Sequence, residues 1–533
     1  MPGRSPSYYL PMPTSPSTPG AEAPERPSFA SRIVYPVAGL LLALHLVTDL
    51  VAPYGIHRDE FLYFAMGRHL RLWHMDFPPF IAIASEIQRF IFGDSPIGLR
   101  IVPTLASSLV VIVAALLARE LGGGRFAQLF AAVAVLGSVF FQRAGFFFMP
   151  VVLDALWWTL GFLVLARLCR TGVSEKRWWV WLGLVGGIGL LTKFSILFFG
   201  FGVLIALLAT SWRRTLLTPW PYVTLGIALA LGSPSWMGQI NLHWPLVAQM
   251  QNLRDTQLSH VSVLGFVITQ VQFGPAVLVG VWGTVVFLVA RPLRPFRLVA
   301  WTCVAIWVTL IVLHGKAYYV GGTYPLLFAA GGRALEALRG AAWRSALRWG
   351  LAGLVAAYGV FALPYGVPIL TPRAMMRFMA ALGPLGAQYD NQGNPLPLPQ
   401  DYADMRGWQE RAAAVAQAYN ALPPLERARA VVIANNYGEA GAMEFYGPRY
   451  GLPPVVSAAG SYYFWGPGPL PGRVAVTIGE SAEGLHRLFD SVEAGPHLTD
   501  SLTVREERDL TIYVCRGIKR TLQEIWPEEA GRQ

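Results

Sequence analysis

Between residues 33 and 363 the chain is a succession of apolar runs, each near the ~20 residues that cross a bilayer as a helix. A lipid-facing backbone must satisfy its own hydrogen bonds, so such runs are read as helices. Composition agrees. Hydrophobic residues make up 54% of the 533 and charged residues only 14%, too little charge to coat several water-soluble domains. Three cysteines (Cys169, Cys303 and Cys515) exclude a disulfide scaffold, and no metal-ligand spacing connects them. The expected class is a polytopic α-helical membrane protein.

Eleven spans are predicted, at 33–52, 99–118, 126–142, 147–168, 179–192, 194–211, 219–237, 263–290, 298–314, 318–336 and 345–363. The pair around Lys193 reads as two short spans or one re-entrant hairpin. The run at 263–290 is long enough to tilt or to extend past the membrane. The excess of 42 basic over 31 acidic residues gives a net charge of +11. It gathers in alternate loops, at Arg119 and Arg125, at Arg170, Lys176 and Arg177, at Arg213 and Arg214, at Arg291, Arg294 and Arg297, and at Arg339 and Arg344. Alternation of this kind marks cytoplasmic loops and not a nucleic-acid surface. It puts the N-terminus inside and the C-terminal region outside.

Three domains follow. Residues 1–31, with eight prolines among Ser, Thr and Gly, are expected to be a disordered cytoplasmic tail. Residues 32–365 form the membrane domain, with a large first outer loop at 53–98. Within that loop EFLYFAMGRHLRLW and PFIAIASEIQRFIF are amphipathic and are expected to lie in the membrane interface. Residues 370–533 form an extracytoplasmic α/β domain, with strands at VVIANN, RVAVTIGE and LTIYVCRG and a helix at WQERAAAVAQAYNAL.

The groups able to carry chemistry fall on one side of the membrane. Asp59 and Glu60 follow the first span, flanked by His57 and Arg58. A carboxylate there suits a general base, and the cations suit an anionic substrate. Asp76 is held by the two prolines of MDFPPF. Asp154 is an ionisable group inside an apolar span, and Lys193 sits at the turn of a short hairpin. His243, Lys316, Tyr318 and Tyr319 occupy two further outer segments. No Walker loop, dinucleotide fingerprint, HExxH or GxSxG is present in the sequence, so a nucleotide substrate has no visible site.

The segments RDEFLYFAMGRHL, MDFPPFIAI, GDSPIGLRIVP, LLTKFSILFF and GKAYYVGGTYPLLFAAGG, with the Asp154 span, occur in an order that resembles the bacterial glycosyltransferase family 39 membrane proteins. These are relatives of the protein O-mannosyltransferases and the lipid A aminoarabinose transferase. ANNYGEAGAMEFYGPRYGLPP is similar to a C-terminal segment of one bacterial branch. The resemblance implies a GT-C type fold in the cytoplasmic membrane and a polyprenyl-phosphate-linked sugar donor. It implies transfer on the outer face to a lipid, glycan or protein hydroxyl, with Asp59 as general base for an inverting displacement. Glu60 and Asp154 are further catalytic candidates, and Arg58, Lys193, Lys316 and His243 are candidates for the leaving phosphate. No cofactor or metal is indicated. Two other readings stay open at this point. One is a transporter, although no repeat relates the halves. The other is a non-catalytic glycan-binding protein using Asn435, Asn436, Tyr437 and Glu439.

Overall fold

The structure, a computed structural model, describes residues 23–258, 261–338 and 340–532. Each expected span meets a helix or a helix pair. Among the described residues four helices are long and apolar enough to cross a membrane alone: Ser31–Val51, Pro96–Glu120, Pro150–Thr171 and Arg291–Val312. Three bent pairs bring the number up to seven if each is one span: Arg125–Leu136 with Val139–Phe146, Ile196–Ala209 with Ser211–Leu217, and Val263–Phe273 with Ala276–Val289. The expected single run at 263–290 is corrected by that last pair, which bends by 106°. Gly274 takes φ +157°, and Pro275, lacking an N–H, cannot continue the helix before it. Further helices of the bundle lie at Lys176–Thr192, Trp220–Leu231, Tyr324–Glu336 and Ala342–Phe361. The backbones of two helices nearly touch where a Cβ on Gly283 would lie 2.4 Å from the Gly331 nitrogen. Only glycine fits there.

The bundle has two chemically different ends. At one, the buried Glu120 carboxylate meets Arg26, Arg167 at 3.3 Å and Arg170 at 3.5 Å. Residues 23–30, expected to belong to a disordered tail, are instead bound to this end. Arg170 donates to the Pro24 carbonyl at 2.6 Å, Arg119 to that of Pro27 at 2.8 Å, and Gln128 accepts from the Ala30 amide at 2.9 Å. The tail before them, 1–22, lies outside the described residues.

At the other end sit the first loop and the C-terminal domain. The domain carries a hairpin of β1 (Gln388–Tyr389) and β2 (Pro395–Leu396). Its main sheet is mixed, built of β3 (Ala430–Ala434), β4 (Val455–Val456), β5 (Val474–Ile478), β6 (Phe489–Thr499) and β7 (Asp509–Ile518). The strand order is β4-β3-β5-β7-β6. β3 runs parallel to both β4 and β5, while β7 is antiparallel to β5 and β6. The expected strands are β3, β5 and β7, and the expected helix is Trp408–Asn420.

Both amphipathic stretches of the first loop are helices, at Arg58–Arg68 and Phe80–Phe92. The second leaves Ile87, Phe90 and Ile91 exposed, with Phe90 at 93%, as an interfacial helix does. The first does not lie in the interface. Its Phe61 and Phe64 are buried against the helix Tyr437–Tyr446 that follows β3, with Phe61 edge-on to Phe445, Tyr446 and Trp408. Gly441 permits this approach, since a Cβ there would come within 2.5 Å of the Phe61 Cβ.

The start of that first helix is fixed by a buried ion pair. Arg100 grips Glu60 through two parallel bonds of 2.7 and 2.6 Å, and Glu60 also accepts the amides of His57 and Phe148, each at 2.8 Å. Removing one member of such a pair strands the other charge and costs about 3–5 kcal/mol. Arg100→Leu is expected to lower the melting temperature of the purified protein clearly. Glu60→Gln/Arg100→Leu together should melt above Arg100→Leu alone, measured by thermal unfolding in detergent.

Candidate active site

The sequence HRDE folds into a helix start because His57 and Glu60 form a capping box. The His57 Nδ1 accepts the Asp59 amide at 3.1 Å, and Glu60 accepts the His57 amide. This turn aims Glu60 into the protein and Asp59 out of it. Glu60, expected beside Asp59 in the site, is therefore corrected to a positioning role. It is fully buried, saturated by four donors, and does not line the site cavity.

Asp59 opens onto a cavity of about 680 Å³. Arg58, Gln257, Asp401, Asp404 and Tyr437 line it with Asp59. The Tyr437 hydroxyl donates to Asp59 Oδ1 at 2.8 Å. Tyr437 opens its own helix, capped by Asn436, whose side chain accepts the Gly438 and Glu439 amides at 2.9 and 3.0 Å. Two helix N-termini thus converge on one carboxylate, and their aligned peptide dipoles favour negative charge there. The Arg58 guanidinium lies 4.9 Å from the Tyr437 ring centroid, bonds to Glu506, and stands 3.7 Å from Asp404. Expected as a phosphate ligand, Arg58 is already compensated by these acids.

The two lysines stand nearer the membrane helices. Lys316 donates to Gln257 and is electrostatically coupled to Asp59, Asp401 and Lys193. Burial, with the Lys193 charge beside it, holds the Lys316 ammonium below the ordinary lysine range against the pull of Asp59. The Lys193 ammonium lies 5.2 and 5.3 Å from the ring centroids of Tyr318 and Tyr319, which pack edge to face at 4.7 Å. Lys193 is also within electrostatic reach of Asp154. Asp154 itself accepts from Trp158 at 3.0 Å and from Ser195 at 2.7 Å, so both its oxygens are engaged and it braces the Lys193 turn.

Two expected residues stand apart. Asp76 accepts from the Ser461 hydroxyl at 2.8 Å, and its carbonyl accepts from Gln239 at 2.6 Å, so it ties the first loop to the C-terminal domain. His243 is exposed in a turn, with φ +60°, and none of the ring contacts or hydrogen bonds that join the cluster reaches it. Sequence reasoning missed Asp401, Asp404, Gln257 and the role of Tyr437 as a partner of Asp59. Tyr63, one helical turn after Asp59, is also coupled to that carboxylate. Only the i, i+4 spacing of Asp59 and Tyr63 was visible in the sequence. Among the described residues no group of three or more His, Cys, Asp or Glu is arranged to hold a metal ion.

Burial pushes the Asp404 carboxyl up to about 6, with Asp59 and Asp401 adding to it and His57 and Arg58 opposing. A raised carboxyl stabilises the fold fully below its unfolded value near 3.8, and that contribution is lost as pH rises through about 6. The stability of the wild type relative to Asp404→Asn is therefore expected to fall between about pH 4 and pH 6, read from melting curves across that range.

Residues 76–237 match the family described as dolichyl-phosphate-mannose-protein mannosyltransferase. The segment begins at Asp76, includes Asp154 and Lys193, and leaves Asp59 outside. The chain is 31% identical over 150 residues to an undecaprenyl phosphate-alpha-4-amino-4-deoxy-L-arabinose arabinosyl transferase of Pseudomonas fluorescens. That match covers 26% of each protein, so the chain spans about a quarter of the length of this curated relative. The fold is similar to that of ArnT from Cupriavidus metallidurans bound to undecaprenyl phosphate, with a TM-score of 0.58 at 14% identity, over 91% of this chain and 98% of that one. The apo form of the same protein superposes equally well, with a TM-score of 0.58 at 15% identity. Residues 76–237 thus resemble that family in sequence, and the chain as a whole is similar to ArnT in fold.

Proposed function

We propose that the protein transfers a sugar from a polyprenyl-phosphate donor to an acceptor hydroxyl, with Asp59 as general base. One observation carries the reading. Asp59 has one oxygen held by Tyr437 and opens onto a polar cavity, with Lys316 and Lys193 coupled to one another and Lys316 coupled to Asp59. A base and a cationic face within one site suit a displacement that creates a phosphate anion.

In this step the acceptor oxygen attacks the anomeric carbon as its proton passes to Asp59. The bond from the anomeric carbon to the phosphate oxygen breaks with inversion, and the lipid phosphate leaves with the electron pair. Lys193 and Lys316 offset its growing charge. Tyr437, donating to one carboxylate oxygen, leaves the other to face the acceptor. The relatives support the donor class, since the curated one is named for an undecaprenyl phosphate-linked sugar. The acceptor is a lipid, glycan or protein hydroxyl.

The reading also assigns sides. The basic end, with Arg26, Arg119, Arg167 and Arg170, faces the cytoplasm by the positive-inside rule. Asp59 and residues 370–533 then face outward, on the extracytoplasmic side of a bacterial inner membrane.

Asp59→Asn is expected to reduce release of polyprenyl phosphate by about 10²- to 10⁴-fold, the usual size of general-base catalysis, with an unchanged melting temperature. Tyr437→Phe should lose about tenfold, the worth of one hydrogen bond to a charged group. Near-wild-type turnover in Asp59→Asn removes it as the base. A reporter fused after residue 370 is expected to be active only in a form that works outside the cytoplasm.

A further inference from the structure

Helices Arg58–Arg68 and Tyr437–Tyr446 both begin at Asp59 and run side by side to a second cavity at their far ends. It is about 550 Å³ in volume and is lined only by first-loop and C-terminal-domain residues. Nine residues of helix separate Asp59 from Arg68, a rise of about 14 Å.

The floor of this cavity is a fixed polar cluster. Arg68 donates to the Glu444 carbonyl at 2.7 Å, and its guanidinium stands 3.8 Å from the Glu444 carboxylate. His69 Nε2 lies 3.4 Å from the same carboxylate, whose other oxygen accepts from the Tyr462 hydroxyl at 2.8 Å. Tyr462 and Trp465 supply the aromatic side of the cavity, beside aliphatic Val431, Met443, Leu452 and Leu470. Trp465 stacks on His69 at 4.1 Å and 13°, and Tyr462 meets it edge-on at 4.4 Å. Five prolines between Pro448 and Pro469 stiffen the rim.

We propose that this cavity binds a sugar ring, as a remote subsite for a glycan acceptor. A pyranose has an apolar C–H face that packs on an indole and a ring of hydroxyls that needs donors and acceptors at its edge. The side of Trp465 turned away from His69, with the Arg68–Glu444 pair near it, supplies both in one place. A site held by prolines and ion pairs loses little conformational freedom on binding. No membrane helix contributes to the lining. The spacing fits as well. A short oligosaccharide lying along the helix pair reaches from Trp465 to a reactive hydroxyl at Asp59. Its role as an acceptor subsite rests on the transferase reading, but binding of the sugar does not.

The test uses full-length protein in detergent on an array of neutral and amino-hexose oligosaccharides, two to six residues long. The wild type is expected to retain a subset of them. Trp465→Ala and Glu444→Gln should each weaken retention at least tenfold, Trp465→Phe less, and Asp59→Asn less than twofold. With a retained glycan as acceptor, Trp465→Ala should raise the acceptor KM at least tenfold and preserve kcat. No retention by folded wild type, or retention undiminished in both Trp465→Ala and Glu444→Gln, overturns the proposal. If Trp465→Ala fails to fold, Glu444→Gln and Trp465→Phe decide. Trp465-dependent retention without any polyprenyl phosphate release would leave the sugar site standing and remove the transferase reading. Transfer with an unchanged acceptor KM in Trp465→Ala would remove the subsite alone.

Discussion

The geometry of the site depends on the Glu60–Arg100 pair. Arg100 comes from the first turns of the Pro96–Glu120 span, and Glu60 from the first turn of the loop helix. Arg100 also reaches the Gly55 carbonyl at 3.2 Å and Asp49 at 3.4 Å, and lies 4.3 Å from the Phe146 ring centroid. Two separate stretches of chain, residues 49–60 and the segment of Phe146, are thereby brought to one guanidinium. Two buried charges gain little net stability over an apolar core, because each is stripped of water. What the pair supplies is register. It sets where the loop helix begins, and so which way the adjacent Asp59 faces.

From that anchor the C-terminal domain follows. β3 delivers the chain to Asn436, whose capping box starts a helix with Tyr437 on its first turn. The helix can lie against the loop helix only because Gly441 presents no side chain to Phe61. Arg68–Glu444 and Asp76–Ser461 close the contact at its other end and side. Asp59 is therefore a composite site in which neither the membrane domain nor the outer domain is sufficient.

Much of this was legible in the sequence, and the unread part has physical causes. Lipid imposes long apolar helices, so the spans stand out in hydropathy alone. β3, β5 and β7 are apolar enough to read as strands, whereas β6, FDSVEAGPHLT, is largely exposed, carries a Gly-Pro step and kinks between Ala494 and His497. The bend after Phe273 was written in a Gly-Pro dipeptide but hidden within continuous hydrophobicity. Asp59 and Glu60 could not be told apart, because neighbours on a helix point about 100° apart and sequence does not say which faces inward. Tyr437 lies 378 residues from Asp59, and only the docked domain pairs them. His243, grouped with the lysines by its place in the sequence, makes none of the contacts that join Lys193 to Tyr318 and Tyr319 or Lys316 to Gln257.

Lys193 and Lys316 repel one another, and burial penalises both. Asp154 and Asp59 offset this only in part, since Asp154 spends its oxygens on Trp158 and Ser195, and Asp59 gives one to Tyr437. Arg58, by contrast, is already matched by Glu506 and Asp404. Arg505 is a further cation on the lining of the polar cavity, while the two ammonium groups are a closely coupled pair of positive charges beside Asp59. An anion placed there relieves the repulsion between the two ammonium groups and gains the attraction of both. On the proposed reading, a phosphate whose tail lies among the spans would arrive from the side of the two lysines, and a hydroxyl acceptor through the polar cavity that Asp59 lines. On that reading the charge of the two lysines would order donor and acceptor around one carboxylate.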